Sequence, residues 1–136
     1  MTDSCVCGAI EFEAQAIPGM VFNCHCSRCR KSHGAAFATQ AFAIKKSLKF
    51  NKGKEYLKEY ISTGGIRAFC SNCGSRLMNY AKNNGDYLSI SIACLDGSYE
   101  EKPVAHAYVG SKAPWHYPST DIPSFDTLPS ILYRKL

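Results

Sequence analysis

Seven of the eight cysteines fall in three short clusters whose spacing suits the binding of metal ions. The clusters are a C-x-C at residues 5–7, a C-x-C-x-x-C at residues 24–29 and a C-x-x-C at residues 70–73. In an extended strand, residues i and i+2 point to the same face, so a C-x-C offers two thiolates together. A C-x-x-C suits a tight knuckle, and Gly74 directly after it lets the backbone turn without steric cost. Zinc favours four such ligands in a tetrahedron, with Zn–S bonds of about 2.3 Å.

Counting the thiols divides them into a complete set and an incomplete one. The complete four-thiolate set consists of Cys5, Cys7, Cys70 and Cys73. It would tie the N-terminal strand to a distant knuckle and close a long loop. The remaining three-thiolate set consists of Cys24, Cys26 and Cys29. Three protein ligands with one exchangeable position are the arrangement of a catalytic zinc, so we expect two zinc ions per chain, one structural and one reactive.

Other uses of the cysteines remain open. An ordinary zinc ribbon could be built from Cys26, Cys29, Cys70 and Cys73. It ranks second because it leaves the other three clustered cysteines without partners. Buried free thiols would behave as small hydrophobes, but three such clusters in one short chain argue against that interpretation. Cys94 stands alone after an apolar strand pattern, so we expect a core thiol there; it is also a candidate to close the second zinc site.

Basic residues and histidines surround the three-thiolate set. Arg28, Arg30 and Lys31 could offset the negative charge of a zinc with three thiolates, or bind the carboxylates of an anionic thiol. Arg30 and Lys31 are therefore candidate substrate-binding residues, whereas Arg28 equally fits a solvated position. His33 is a candidate lining residue, although an exposed helix end is the commoner outcome. His25 lies between two ligands, and in an extended C-x-C its ring points away from the thiolates.

Length and composition suit one zinc-binding domain over residues 1–136, with an irregular proline-containing tail from about residue 114. Hydrophobic residues make up 46%, which is enough for a packed core.

No secretory signal and no apolar run of membrane-spanning length is visible, so we expect a cytoplasmic protein with no membrane partner. A reducing compartment favours metal binding over disulfides. The net charge of +5 forms no basic stripe, which argues against nucleic acid, and the oligomeric state is open.

Strand patterns dominate the chain. Residues 10–14 and 88–92 alternate apolar and polar side chains, with the period of a half-buried strand. Further strands are predicted at residues 20–24, 37–44, 56–61, 66–70, 76–80 and 103–109. Turn sequences that predict hairpins lie at residues 63–65 and 82–86. A short helix is expected over residues 27–33, capped by Ser27, so the fold class is mainly antiparallel β with little helix.

A family resemblance rests on residues 24–37, which read Cys-His-Cys-Ser-Arg-Cys-Arg-Lys-Ser-His-Gly-Ala-Ala-Phe. They strongly resemble the central motif of the glutathione-dependent formaldehyde-activating enzyme family, which also contains centromere protein V. Residues 5–10, 67–74 and 111–115 resemble further sequence segments of the family and occur in the same order. The match covers most of the chain, and seven cysteines in one fixed order make it specific.

The resemblance implies a β-tent fold, shared with methionine sulfoxide reductase B and a family of Rab-binding chaperones. It implies a structural zinc on the four-thiolate set and a reactive zinc on the three-thiolate set. The family's named activity joins glutathione to formaldehyde and gives S-(hydroxymethyl)glutathione.

Two functions from different classes follow. In the first, the chain is a carbon–sulfur lyase-type enzyme: a small thiol such as glutathione becomes the fourth ligand of the second zinc, loses its proton and adds to an aldehyde. Cys24, Cys26 and Cys29 then act as ligands and not as nucleophiles. In the second, the zinc ions only hold the fold of a non-catalytic module that binds a protein partner. Redox catalysis is disfavoured because seven of the eight cysteines are expected to be zinc ligands, and a redox-active cysteine would need to be free.

Overall fold

The structure is a computed structural model that describes residues 1–83 and 85–130. Within these residues the fold is mainly β, as the sequence patterns predicted: ten strands form two sheets, beside one α-helix and short 3-10 turns. The strands are β1 (Thr2–Ser4), β2 (Glu11–Glu13), β3 (Ala16–Cys24), β4 (Ala38–Ile44), β5 (Lys49–Lys52), β6 (Leu57–Ser62), β7 (Gly65–Cys70), β8 (Arg76–Tyr80), β9 (Tyr87–Ser91) and β10 (His106–Ala107). The helix is α1 (Ser27–His33). Nothing helical in the described part of the chain has the length and apolar character needed to cross a membrane.

The chain divides into two compact units, of residues 1–17 with 41–100 and of residues 18–40 with the chain from 101 onward. The first unit contains a three-stranded sheet in the order β1-β2-β5 and neighbouring antiparallel strands in the order β9-β8-β7-β6. In the β6–β7 hairpin Ser62 pairs with Gly65, which leaves a two-residue loop where the turn sequence predicted one. The interpretation of the whole chain as a single domain remains a prediction.

The core of the first unit is built from the apolar positions of the two alternating segments. Ile10, Phe12 and Ala14 are buried, and so are Leu88 and Ile90. These side chains belong to one hydrophobic cluster that also contains the buried thiols Cys5 and Cys70. One thiol of the C-x-C and one thiol of the C-x-x-C are therefore packed in the apolar core.

Strand β9 departs from the half-buried pattern that its alternation predicted. Ser89 and Ser91 are buried, and so are Leu88 and Ile90. Asn79 on β8 donates a hydrogen bond from Nδ2 to Ser89 Oγ at 3.3 Å, which satisfies one of these hydroxyls. Small polar side chains can line a covered face when a neighbouring strand supplies a partner, and sequence alternation cannot reveal that partner.

Most of β3 belongs to the second unit, and its end pairs with β10. The strand predicted at residues 103–109 is reduced to β10, which pairs in parallel with the end of β3 and places Ala107 opposite Cys24. Backbone bonds from Val104 N to Val21 O and from His25 N to Ala107 O extend this contact. Tyr108 then adopts a left-handed conformation with φ 58°, which ends the strand.

Helix α1 spans the predicted residues, but its cap differs from the prediction. Cys26, not Ser27, is the N-cap, and its Sγ accepts a hydrogen bond from the Cys29 backbone N–H. Gly34 closes the other end in a left-handed conformation. The second and third thiols of the C-x-C-x-x-C are thus placed by one helical turn.

Two strands were not predicted because they are short and polar. β1 has three residues, and β5 has four, of which the first and last are exposed lysines. Antiparallel pairing of β5 with β2 sets Glu11 opposite Lys52 and Glu13 opposite Lys49, so opposite charges support the sheet. The other predicted hairpin, at residues 82–86, includes Asn84, which lies outside the described residues.

Candidate metal centres

The structure brings four thiols of the first unit together. The ligand atoms of Cys5, Cys7, Cys70 and Cys73, here called the four-thiol cluster, all lie within 4.8 Å of one another. The sulfur atoms of Cys5 and Cys7 are 3.6 Å apart, and those of Cys7 and Cys70 are 3.9 Å apart. Four sulfurs on a tetrahedron with zinc-length bonds of about 2.3 Å would be about 3.8 Å apart. The cluster could therefore hold a four-coordinate metal ion.

The local fold of the knuckle explains why these thiols converge. Cys70 is the last residue of β7, and its N–H donates to Ser75 O across the turn at 3.0 Å. Gly74 has φ 79°, a conformation that favours glycine, and its N–H donates to Cys70 O at 2.8 Å. The glycine expected after the second thiol therefore has the predicted conformational role.

Hydrogen bonds to sulfur suit the thiolate form in this cluster. Ile10 N donates to Cys5 Sγ at 3.2 Å, and Asn72 Nδ2 donates to Cys7 Sγ at 3.3 Å. The Asn72 side chain is the largest influence that lowers the pKa of Cys7. The Ser75 hydroxyl, followed by its backbone, lowers the pKa of Cys73 to about 5. The lowered pKa values of Cys7 and Cys73 favour the thiolate form, which is the form that binds a metal ion.

The second unit contains a smaller group. The ligand atoms of Cys24, Cys26 and Cys29, here called the three-thiol cluster, lie within 4.8 Å of one another. Cys24 and Cys29 are buried, and Cys26 is half-buried. Among the described residues, no further Cys, His, Asp or Glu ligand atom joins this group. The cluster could hold a metal ion and would leave a position for a ligand from outside the protein.

Three thiols so close together cannot all ionise without a compensating cation. Hydrogen bonding with the thiols of Cys26 and Cys29, followed by burial, raises the pKa of Cys24. A metal ion would remove this penalty, because its positive charge stabilises all three thiolates. The donor set therefore fits a soft divalent cation such as zinc.

Cys94 belongs to neither cluster. It lies in a 3-10 turn of the first unit, is half-buried, and packs against the core as expected of a core thiol. Its Sγ donates to Arg76 O at 3.3 Å, and burial raises its pKa to about 12. A protonated thiol with its own backbone acceptor is poorly suited to act as a metal ligand.

The three predicted substrate residues have different surroundings on α1. Arg30 is half-buried, and its Nε donates to Ser111 O at 3.1 Å and to His25 O at 3.4 Å. Arg30 thus holds backbone segments of the second unit together. Lys31 is exposed, and His33 is half-buried at the end of the helix. Of these three residues, Lys31 is therefore the most accessible to a ligand from solution.

A histidine cluster beside the C-x-C was not anticipated from the sequence. His25 is fully buried, and its ring centroid lies 5.0 Å from that of Phe37, 5.2 Å from that of His106 and 5.7 Å from that of His116. His25 and His106 are 81 positions apart in the sequence, so no local pattern could have linked them. The sequence placed the His25 ring away from the thiolates, which stays a prediction, and it offered no signal for the partners of that ring.

Hydrogen-bond geometry identifies the tautomers in this histidine cluster. His106 Nε2 lies 3.0 Å from Ser119 O, a carbonyl that can only accept, so Nε2 carries the hydrogen. His106 Nδ1 is then an acceptor, 3.3 Å from both Asn23 Nδ2 and His25 Nε2. Burial, followed by the charge of His106, lowers the pKa of His25 to about 4. A neutral His25 imidazole therefore supports the strand end that bears Cys24 and Cys26.

The fold and these clusters define a class: a mainly β protein with one four-thiol and one three-thiol group, each able to hold a metal ion. The sequence model of the glutathione-dependent formaldehyde-activating enzyme family matches residues 1–111. Because the match covers most of the chain, the protein belongs to that family, and the resemblance seen in the sequence is confirmed.

A similar solved structure is known. It is the crystal structure of a Rhodobacter sphaeroides protein from a structural genomics programme, which is 29% identical to this chain with a TM-score of 0.62. The alignment covers 74% of this chain and 92% of that protein. The shared fold therefore covers nearly the whole of that protein.

Proposed function

We propose that this protein is a zinc-dependent enzyme of the carbon–sulfur lyase type that acts on a glutathione-like thiol and a small aldehyde, such as formaldehyde. The observation that carries the proposal is the three-thiol cluster, which has no fourth protein ligand among the described residues. Membership of the glutathione-dependent formaldehyde-activating family supports the substrate class. A reducing cytoplasm would keep the clustered thiols free to bind metal.

The two clusters have different roles in this proposal. Cys5, Cys7, Cys70 and Cys73 would hold a structural zinc, since four thiolates complete its coordination. Cys24, Cys26 and Cys29 would hold the reactive zinc as ligands. A zinc ion there would lower the pKa of a thiol bound at its fourth position, which supplies a nucleophile at neutral pH.

The overall reaction is an addition without oxidation or reduction. The sulfur of the thiol forms a bond to the aldehyde carbon, the carbonyl π bond breaks, and the thiol's proton ends on the former carbonyl oxygen. The protein's residues bind and orient the reactants. The Lys31 ammonium can attract the carboxylates of the thiol, and Arg30 keeps α1 fixed to the backbone of Ser111.

Metal analysis gives the first prediction. Protein purified without chelator should contain two zinc ions per chain, and a chelator should remove one well before the other, because only one cluster is closed by four thiolates. Elemental analysis before and after timed chelation measures this. Absence of zinc, or iron in its place, would contradict the proposal.

A kinetic assay tests the activity. With glutathione present, the protein should accelerate formaldehyde consumption beyond the spontaneous reaction of glutathione with formaldehyde in buffer, which must be measured in parallel. Glutathione should also bind measurably by calorimetry. Lys31→Ala should weaken that binding about threefold, with a smaller effect at high salt, since exposed ion pairs contribute about 0.2–1 kcal/mol.

Lys46→Ala is the matched control, since Lys46 is also exposed but lies in the first unit, outside both thiol clusters. It should bind glutathione as the unaltered protein does. Binding without acceleration would indicate a thiol-binding protein with another reaction. Two retained zinc ions without binding of any small thiol would instead support a non-catalytic module that binds a protein partner.

A further inference from the structure

Each sulfur of the three-thiol cluster has an N–H donor. The backbone of Cys26 hydrogen-bonds the Cys24 thiol, and the Cys29 N–H donates to Cys26 Sγ at 3.3 Å. The third donor is a side chain: Gln40 Nε2 donates to Cys29 Sγ at 3.4 Å. Of these three donors, only the amide of Gln40 can be removed by a substitution.

The position of Gln40 is unusual for a glutamine. It is the third residue of β4 and is only 4% exposed, between residues whose side chains are mostly small or apolar. Burial of an amide costs free energy unless it is hydrogen-bonded, so a polar side chain at this position requires a partner. The partner that the structure provides is a sulfur atom of the three-thiol cluster.

The orientation of the Gln40 amide suits the thiolate form of Cys29. A protonated thiol could donate to the amide oxygen, whereas a thiolate has no hydrogen and can only accept. Gln40 presents its nitrogen, which suits the deprotonated sulfur that a metal requires. Hydrogen bonds to an ionised acceptor are stronger than neutral ones, so this contact both orients Cys29 and stabilises its anionic form.

We propose that Gln40 is a positioning residue of the second metal centre, which fixes the rotamer of Cys29 and stabilises its thiolate through the Nε2–H···Sγ bond. This inference rests on the proposed occupancy of the three-thiol cluster by zinc. Residues that orient metal ligands from outside the coordination sphere change metal affinity by about 10- to 100-fold when they are replaced. The sequence carried no signal for this role, because Gln40 lies outside the cysteine motif.

The test compares Gln40→Met, which keeps the length of the side chain but removes the donor, with Gln40→Glu, which places an acceptor against the sulfur. Zinc affinity of the weaker site is measured by competition with a chromophoric chelator, and cobalt(II) substitution reports the thiolate-to-metal charge-transfer band. Gln40→Met should bind the weaker zinc about tenfold less tightly, and Gln40→Glu at least as poorly. The tighter zinc site should be unchanged in both.

Gln15→Met is the matched control, because Gln15 is exposed and lies in the first unit. A purely structural role of Gln40 would lower the melting temperature without a selective loss at the weaker site. Affinities within twofold of the unaltered protein in either folded variant would overturn the proposal. If the unaltered protein binds only one zinc, the proposed reactive centre fails and this inference fails with it; two zinc ions with no effect of Gln40 refute the inference alone.

Discussion

Cys70→Ser is expected to cost the protein at least about 4 kcal/mol of unfolding free energy, a large share of the roughly 5–15 kcal/mol that stabilises an ordinary domain. Cys70 is fully buried, belongs to the hydrophobic core of the first unit, and ends β7. Its sulfur lies 3.9 Å from that of Cys7, which is 63 positions away, so a bound zinc would close a long loop. Loss of this ligand removes both the metal and that constraint.

Thermal and denaturant melts of Cys70→Ser and Cys29→Ser measure the difference. Cys29→Ser should lower the free energy of unfolding by only about 1–2 kcal/mol, an ordinary loss for a substitution at a buried position. Cys94→Ser controls for loss of a thiol outside both clusters, and should melt close to the unaltered protein because a serine hydroxyl can also donate to Arg76 O. Equal losses in Cys70→Ser and Cys29→Ser would mean that the second metal is structural too.

Cys26→Ser should abolish activity while it leaves the fold intact, with a loss of about 100-fold or more in thiol-dependent turnover of the aldehyde. Cys26 is half-buried and caps α1, where its sulfur accepts the Cys29 N–H. Serine is a preferred N-cap residue, so the hydroxyl can preserve the cap while it removes a soft anionic ligand. The unfolding free energy should therefore change by less than about 1 kcal/mol.

Rate measurements and melts on the same preparation decide this prediction. Ser27→Ala is the control, since Ser27 is exposed beside Cys26 and offers no ligand. It should keep both activity and stability. Undiminished turnover by Cys26→Ser would exclude the three-thiol cluster as the reactive site, and a loss of stability like that of Cys70→Ser would assign it a structural role.

Features determined by local geometry could be predicted from the sequence. The bounds of α1 follow from neighbouring residues, and the C-x-x-C with Gly74 forms the expected turn. The division of thiols into four and three also followed from counting, and the structure brings the same two groups together. The cap of α1 was misassigned to Ser27 because a cysteine sulfur is a less usual acceptor at that position.

Features that depend on distant residues could not be predicted. β5 was missed because its lysines look solvated, although β2 supplies a glutamate opposite each end. The serines of β9 were expected to face water, but both are buried. In each case the pairing of strands supplies a charge or a hydrogen-bond donor that the local pattern does not contain.

The sequence by itself determined which thiols are available as metal ligands and how they group within each motif, because C-x-C and C-x-x-C place thiols together through backbone periodicity alone. Only the tertiary structure decided which groups support those thiols. Gln40 reaches Cys29 from a neighbouring strand, and His106 meets His25 from far along the chain. The physical reason is that each C-x-C or C-x-x-C groups its own thiols within a short segment. Folding alone brings residues 5–7 to the thiols at 70–73, and it alone supplies the burial and hydrogen bonds that stabilise the thiolates.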